Sequence, residues 1–473
     1  MTERALRLPE GWGRIDRENP LRFSFDGRAL SGFAGDTVAS ALLANDIHLV
    51  GRSFKLHRPR GILAAGVEEP GALVTLRGRG RREPNIQAPM VELHEGLVAR
   101  SQNRWPTLEF DLLGINDRLA RLMPAGFYYK TFMAPGQRAW MHFEPAIRRA
   151  AGLGRAAELP DPDRYERGHA FCEVLVIGAG PAGLSAALAA ARGGGRVIVL
   201  EQHPVAGGQL LSEPVGSAAD VWRRTQLDAL AELDNVTLMT RTTAFGLYDG
   251  NVVGAVERAW DHVPIPPAGA PRQRTWRIHA GHVIHAAGAT ERTLLFGNND
   301  RPGVMLAESA RRYVNHFGVR PGGRIIVATN NDSAYAAAHD LHDAGAHVSL
   351  VDARNTPGEA ARLRNRNSDS STPATMAKAR SVSSVARKVT TSTALSWRLV
   401  SQRASHITPG KPARPSGRPG RLRARGAAPG ASRGRRACGI AGPRSRHRRR
   451  LAGRQPCRRD RQREPAGGTG GHH

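Results

Sequence analysis

Cysteine is scarce in this chain, with three in 473 residues: Cys172, Cys438 and Cys457. Two of them fall in a stretch unlike the rest, so neither a disulfide framework nor a Cys-x-x-Cys redox pair is supported. Long apolar runs are missing as well. No segment reaches the roughly 18 uninterrupted apolar residues of a membrane span. Residues 1–20 mix Glu, Arg, Asp and Pro without the apolar stretch of a secretory signal. These absences predict a soluble, cytoplasmic protein with no membrane partner. Acidic residues almost disappear beyond Ala353, where 4 Asp and Glu face 29 Lys and Arg; up to that point 37 face 40. The first part is thus near +3 and the last quarter near +25. The overall basic charge therefore excludes nothing and implies nothing about the folded portion.

From Arg354 onward Arg, Pro, Gly, Ser and Ala dominate without helical or strand periodicity. Such a composition cannot bury enough apolar area to offset chain entropy. The expectation is a disordered Arg-rich tail over 354–473. GC-rich coding DNA read out of frame yields this mixture, and the break falls between about Val351 and Glu359, so a frameshift is the preferred explanation. A non-catalytic protein with a nucleic-acid-binding tail is the alternative of another class. The tail lacks the interleaved aromatics that such binding uses, and nucleic acid is not counted among the expected partners.

Before Ala353 the pattern is richer. Leu21 to Phe33 alternates apolar and polar residues around Asp26-Gly27, which predicts a β-hairpin with a type I′ turn. Gly35-Asp36-Thr37 then offers a helix cap ahead of Val38, Leu42 and Leu43. A Pro- and Gly-punctuated loop leads to a strand at Leu73 to Leu76. Hairpin, helix, loop and strand in this order predict a ferredoxin-like β-grasp domain over 18–105. Residues 106–168 show only short amphipathic pieces and an aromatic cluster, Gly126 to Phe132, and read as a connector. Residues 169–353 read as a Rossmann-type two-dinucleotide domain. Its first βαβ unit runs from Phe171, and further strands are expected at Val236 to Met239 and Val283 to Ala287. A second βαβ unit, from Gly323 to Val351, would be incomplete, with the apolar faces of Ile325 to Ala328 and Val348 to Val351 partly uncovered.

The first βαβ turn carries the chemistry. Gly178-Ala179-Gly180-Pro181-Ala182-Gly183 follows a strand and opens an Ala-rich helix. Gly178 permits the bend, Gly180 admits a pyrophosphate, and Gly183 lets helix and strand pack closely. Glu201 lies 23 residues after Gly178, where a carboxylate accepts both ribose hydroxyls and disfavours a 2′-phosphate. Gly207-Gly208-Gln209 and the strand end at Ala286 to Gly288 are placed to close the same site or to serve as plain turns. In the second unit Ala328 to Ser333 occupies the fingerprint position without glycine, so a second nucleotide site is not expected. His279, His282 and His285 recur every three residues, but on a strand His282 faces away from the other two, so no metal site is assigned. No catalytic residue is assigned either.

Four segments carry a resemblance: residues 52–74 (RSFKLHRPRGILAAGVEEPGALV), residues 116–133 (NDRLARLMPAGFYYKTFM), residues 178–191 (GAGPAGLSAALAAA) and, most specifically, residues 288–307 (GATERTLLFGNNDRPGVMLA). Together, from about Asn19 to Arg354, the chain resembles the alpha subunit of heterotetrameric sarcosine oxidases, departing at Thr293, where proline is commoner. The resemblance implies a chain truncated before a folate-binding domain and inactive alone. It implies NAD, with FAD as alternative, bound by Gly178, Ala179, Gly180, Pro181, Ala182, Gly183, Glu201, Gly208, Gln209 and Gly288. It further implies FMN at an interface with a partner, and beta, gamma and delta subunits. The complete complex would demethylate sarcosine oxidatively to glycine and formaldehyde or methylene-tetrahydrofolate, with hydrogen peroxide. A related amine, opine or proline dehydrogenase subunit is the alternative. Because residues 51–70 contain no cysteine, no iron–sulfur cluster is expected, and the β-grasp domain reads as a docking surface.

Overall fold

A computed structural model describes residues 6–78, 81–122, 137–150, 159–354 and 397–402. The hairpin forms as its sequence dictates. Strands β1 (Asp16–Phe25) and β2 (Arg28–Ala34) pair antiparallel across Asp26 and Gly27, whose φ values of 50° and 85° are those a type I′ turn requires. Helix α1 (Val38–Ala44) opens on a reciprocal cap: the Ser40 amide donates to Thr37 Oγ1 at 3.2 Å, and the Thr37 amide to Ser40 Oγ at 2.9 Å. A two-residue pair, β3 (Gly51–Arg52) with β4 (Pro59–Arg60), pins the following loop. Strands β5 (Leu73–Gly78), β6 (Arg81–Gln87) and β7 (Leu97–Ser101) complete a five-stranded sheet in the order β2-β1-β7-β5-β6. This is the expected β-grasp layout.

The connector contains the short helix α2 (Ile115–Arg118) and α3 (Gln137–Ala150), longer than the sequence pattern suggested because Pro145 interrupts its periodicity. The aromatic cluster at Gly126 to Phe132 lies outside the described residues.

The dinucleotide-type domain follows: β8 (Tyr165–Ile177), α4 (Pro181–Arg192), β9 (Val197–Leu200), α5 (Ala218–Ala231), β10 (Val236–Met239), β11 (Thr242–Tyr248), β12 (Val252–Glu257) and β13 (Gln273–His285). The sheet order is β10-β9-β8-β13-β12-β11, with a parallel half and an antiparallel meander. Strand alternation sends neighbouring residues to opposite faces. Val176, Val197 and Val199 meet Leu184, Ala187 and Leu188 of α4. Leu175, Ile198 and Leu200 pack on the other face with Val253, Ala255 and Ile278. The strand expected at Val283 to Ala287 is the end of the longer β13, which stops two residues earlier at His285, and β11 and β12 escaped the sequence reading.

A third sheet holds β14 (Val304–Leu306), β15 (Arg324–Thr329), β16 (His347–Asp352) and β17 (Trp397–Gln402), in the order β14-β17-β15-β16, all parallel. Helices α6 (Ala307–Asn315) and α7 (Ser333–Asp343) cover it. One expectation is corrected here. Beyond residue 354 the described residues 397–402 form β17, which pairs with both β14 and β15; a six-residue strand is too short to register in a window dominated by Arg and Ser. The faces of Ile325 to Ala328 and Val348 to Val351 are not uncovered, for all these residues but Ser349 are buried. Ile325, Val327, Val348 and Leu350 join one continuous core with the β-grasp residues Phe23, Leu42, Val74 and Leu97. Ile326, Ala328 and Val351 pack instead against Leu294, Phe296 and Val304. Helix α7 packs directly on β15 and β16, and the core continues from there into the β-grasp domain.

Candidate functional site

The glycine turn sits between β8 and α4, at the edge where β9 and β13 also end. Gly178 has φ of 102°, and a Cβ there would meet the Ala286 carbonyl oxygen at 2.5 Å. A Cβ on Gly183 would stand 1.8 Å from the Gly178 oxygen, so helix and turn touch in a way only glycine allows. Gly180 caps α4 and Pro181 fills its first turn, leaving helix-terminal N–H groups without intrahelical partners, the arrangement that receives an anion.

Glu201, at the end of β9, is buried. Its Oε2 accepts the Ala179 amide at 3.1 Å and its Oε1 the His203 amide at 2.9 Å. Burial pushes its carboxyl above the ordinary range, and these amides work against that. The structure thus brings the carboxylate onto the glycine turn itself. The second glycine turn joins it: the Gly207 amide donates to the Ala179 oxygen at 2.9 Å, and Gly208, at φ of 54°, passes Gly180 so closely that a Cβ would lie 2.9 Å from its Cα. Gly178, Ala179, Gly180, Gly183, Glu201 and Gly208 are one cradle. Pro181 and Ala182 are exposed on α4, Gln209 is exposed beyond Gly208, and Gly288, at φ of 73°, lies in the turn three residues beyond β13. The ring of His279 stacks on Phe171, with centroids 5.0 Å apart.

Carboxylates that the sequence reading passed over hold loops that lie away from the cradle. Glu69 in the β-grasp loop accepts four backbone amides, those of Leu63, Ala64, Gly71 and Ala72. Glu291, within the most specific of the four segments, accepts the amides of Ala307 and Glu308 at 3.0 and 2.9 Å, capping α6. Burial pushes its carboxyl up to about 8. Asp300, in the same segment, receives Arg58 through two bonds of 2.8 Å and also pairs with Arg60. That segment ties domains together rather than lining the cradle. For Glu69 and Asp300 the available signal was a carboxylate followed closely by proline and glycine; Glu291 carried no such signal.

The comparisons with known proteins bear on this geometry. Residues 172–369 match the family described as pyridine nucleotide-disulphide oxidoreductase. Over 358 residues, 75% of this chain, the sequence is 54% identical to sarcosine oxidase subunit alpha of Rhizobium meliloti (strain 1021). The chain is homologous to sarcosine oxidase alpha subunits. A second relative, from Corynebacterium sp. (strain P-1), is 41% identical over 353 residues. The chain spans about a third of the length of these relatives, 36% and 32% respectively. Among solved structures, L-proline dehydrogenase from P. horikoshii shares the fold, with a TM-score of 0.50 at 21% identity, covering 74% of this chain and 56% of that one.

One expectation is overturned. Residues 18–104 match the family described as a 2Fe-2S iron-sulfur cluster binding domain, which contradicts the expectation of no iron–sulfur cluster. The donor set that such a group takes, four thiolates or close substitutes, is not met within that span, which contains no cysteine. Among the described residues no helix is long and apolar enough to cross a membrane.

Proposed function

We propose that this chain binds NAD in the cradle of Gly178, Gly180, Gly183, Gly208 and Glu201, as an alpha-type component of a multi-subunit enzyme that oxidises sarcosine. The observation that carries the reading is the placement of the Glu201 carboxylate against the glycine turn at the N-terminus of α4. The pyrophosphate would take the helix-terminal N–H groups, and the adenosine ribose the remaining lone pairs of Glu201. A buried carboxylate there disfavours a 2′-phosphate through like-charge repulsion, which favours NAD over NADP. Ala179, Pro181, Ala182, Gln209 and Gly288 would line the approach to the same site.

Homology to sarcosine oxidase alpha subunits supports the substrate assignment. The overall change would be sarcosine, water and oxygen to glycine, formaldehyde and hydrogen peroxide, with beta, gamma and delta partners completing the complex. In this proposal the cradle residues bind and orient, and the oxidation belongs to a partner. Three measurements test it. Nucleotide released from the purified chain should be NAD; release of FAD would refute the assignment. Glu201→Ala should weaken NAD binding by about tenfold or more, the loss expected from a charge-assisted hydrogen-bond pair. The chain alone should make no hydrogen peroxide from sarcosine.

A further inference from the structure

A cavity of about 500 Å³ lies where the β-grasp domain, the dinucleotide-type domain and α6 meet. Its volume is that of a small-molecule pocket. Six arginines line it, Arg14, Arg223, Arg224, Arg241, Arg258 and Arg312, against two carboxylates, Glu92 and Asp220. Those two are already spent. Asp220 faces Arg14 at 2.9 Å, Arg223 at 3.1 Å and Arg224 at 3.6 Å. Glu92 takes both bonds of Arg241 at 2.7 Å. Arg258 donates to two backbone oxygens, of Met90 at 2.6 Å and Gln202 at 2.8 Å. The lining therefore carries a marked positive excess in a partly enclosed space, where charge is screened poorly.

Two buried polar atoms of the lining residues have no hydrogen-bond partner, Nε of Arg312 and Nδ1 of His316. An unsatisfied buried group of this kind costs stability and calls for an explanation. Burial drives the pKa of Arg312 down, and Glu201, whose His203 neighbour lines the cavity, is the strongest of the charges opposing that. Guanidinium groups converging on a pocket suit the planar, bidentate recognition of oxyanions.

We propose that this cavity is an oxyanion site that takes a phosphorylated small molecule, with Arg312 as the buried donor at its floor and Arg224 at its rim. The charge imbalance and the unpartnered Nε of Arg312 carry the site without the dinucleotide reading. The phosphate belongs to a separate phosphorylated compound, because the dinucleotide's own phosphates are assigned to the N-terminus of α4.

Calorimetric titration of the full chain with inorganic pyrophosphate tests the proposal. Wild type should bind it, with affinity falling as salt rises. Arg312→Met should weaken binding about tenfold, and Arg224→Gln, whose side chain is 56% exposed, about threefold. Arg312→Met should leave the melting temperature unchanged or higher, because it removes a buried charge without a full partner set; a residue there only for structure would give the opposite. Arg224→Gln keeps the test decisive if the first variant does not fold. Repeating the titration with saturating NAD separates the cavity from the cradle: pyrophosphate binding that persists supports the proposal, and binding abolished by NAD overturns it. Absence of pyrophosphate binding to wild type, or binding indifferent to both substitutions, overturns the proposal.

Discussion

Replacing Glu69 by glutamine should destabilise the chain by several kcal/mol while changing only one atom type. The Glu69 side chain is 1% exposed, and its two oxygens accept four amides: Leu63 and Ala64 at 2.7 Å on Oε2, Gly71 and Ala72 at 2.6 and 2.7 Å on Oε1. The loop so gathered is the one that docks on α6, through the Leu306 amide to the Leu63 oxygen at 2.8 Å and the Tyr313 hydroxyl to the Ala64 oxygen at 2.9 Å. A glutamine keeps one oxygen and turns an NH₂ toward the other two amides. Two donors, one buried and one half-buried, then lose their acceptor and face another donor, at roughly 1–3 kcal/mol each, or ~2–6 kcal/mol together. Urea unfolding followed by circular dichroism should show a lower midpoint at unchanged slope, with amide exchange accelerated at residues 63, 64, 71 and 72. A loss under about 1 kcal/mol, or exchange rates unaltered at those four amides, would show that the carboxylate does not hold the loop.

Further outcomes follow from other contacts. Gly183→Ala places a Cβ 1.8 Å from the Gly178 oxygen; the turn must open, so NAD binding should be lost in calorimetry with a cost of about 1–3 kcal/mol or more. A retained affinity would remove the glycine turn from the site. Glu291 has a folded pKa raised to about 8 from an ordinary 4.5. Its contribution to stability is complete below the lower value and lost as pH climbs through the upper one. The melting temperature of Glu291→Gln relative to wild type should therefore rise across that window, and a difference independent of pH would count against the burial argument. Asp300→Ala removes the shared partner of Arg58 and Arg60. It should cost about 1–2 kcal/mol, less at high salt, as read by thermal unfolding.

What could be read in advance was whatever repeats or turns locally. Asp26-Gly27 announces the hairpin through positive φ, Thr37 announces α1 through its cap, and Gly178 to Gly183 with Glu201 announce the cradle because a nucleotide turn needs those residue types at that spacing. The strands β11 and β12 were missed because Gly246 and Gly254 interrupt their alternation. Strand β17 was missed because six residues inside an Arg- and Ser-rich stretch carry too little pattern.

The sequence by itself determined the order of folds, the cradle's glycines and its acid, since each depends on neighbours within about thirty residues of chain. Tertiary structure alone decided that Ile325 and Val348 join one core with the β-grasp residues, that Asp300 fastens its segment to Arg58 and Arg60 of the β-grasp loop, and that six arginines from separate segments face a single cavity. Burial and charge balance are sums over residues far apart in the chain, and no local pattern encodes such a sum.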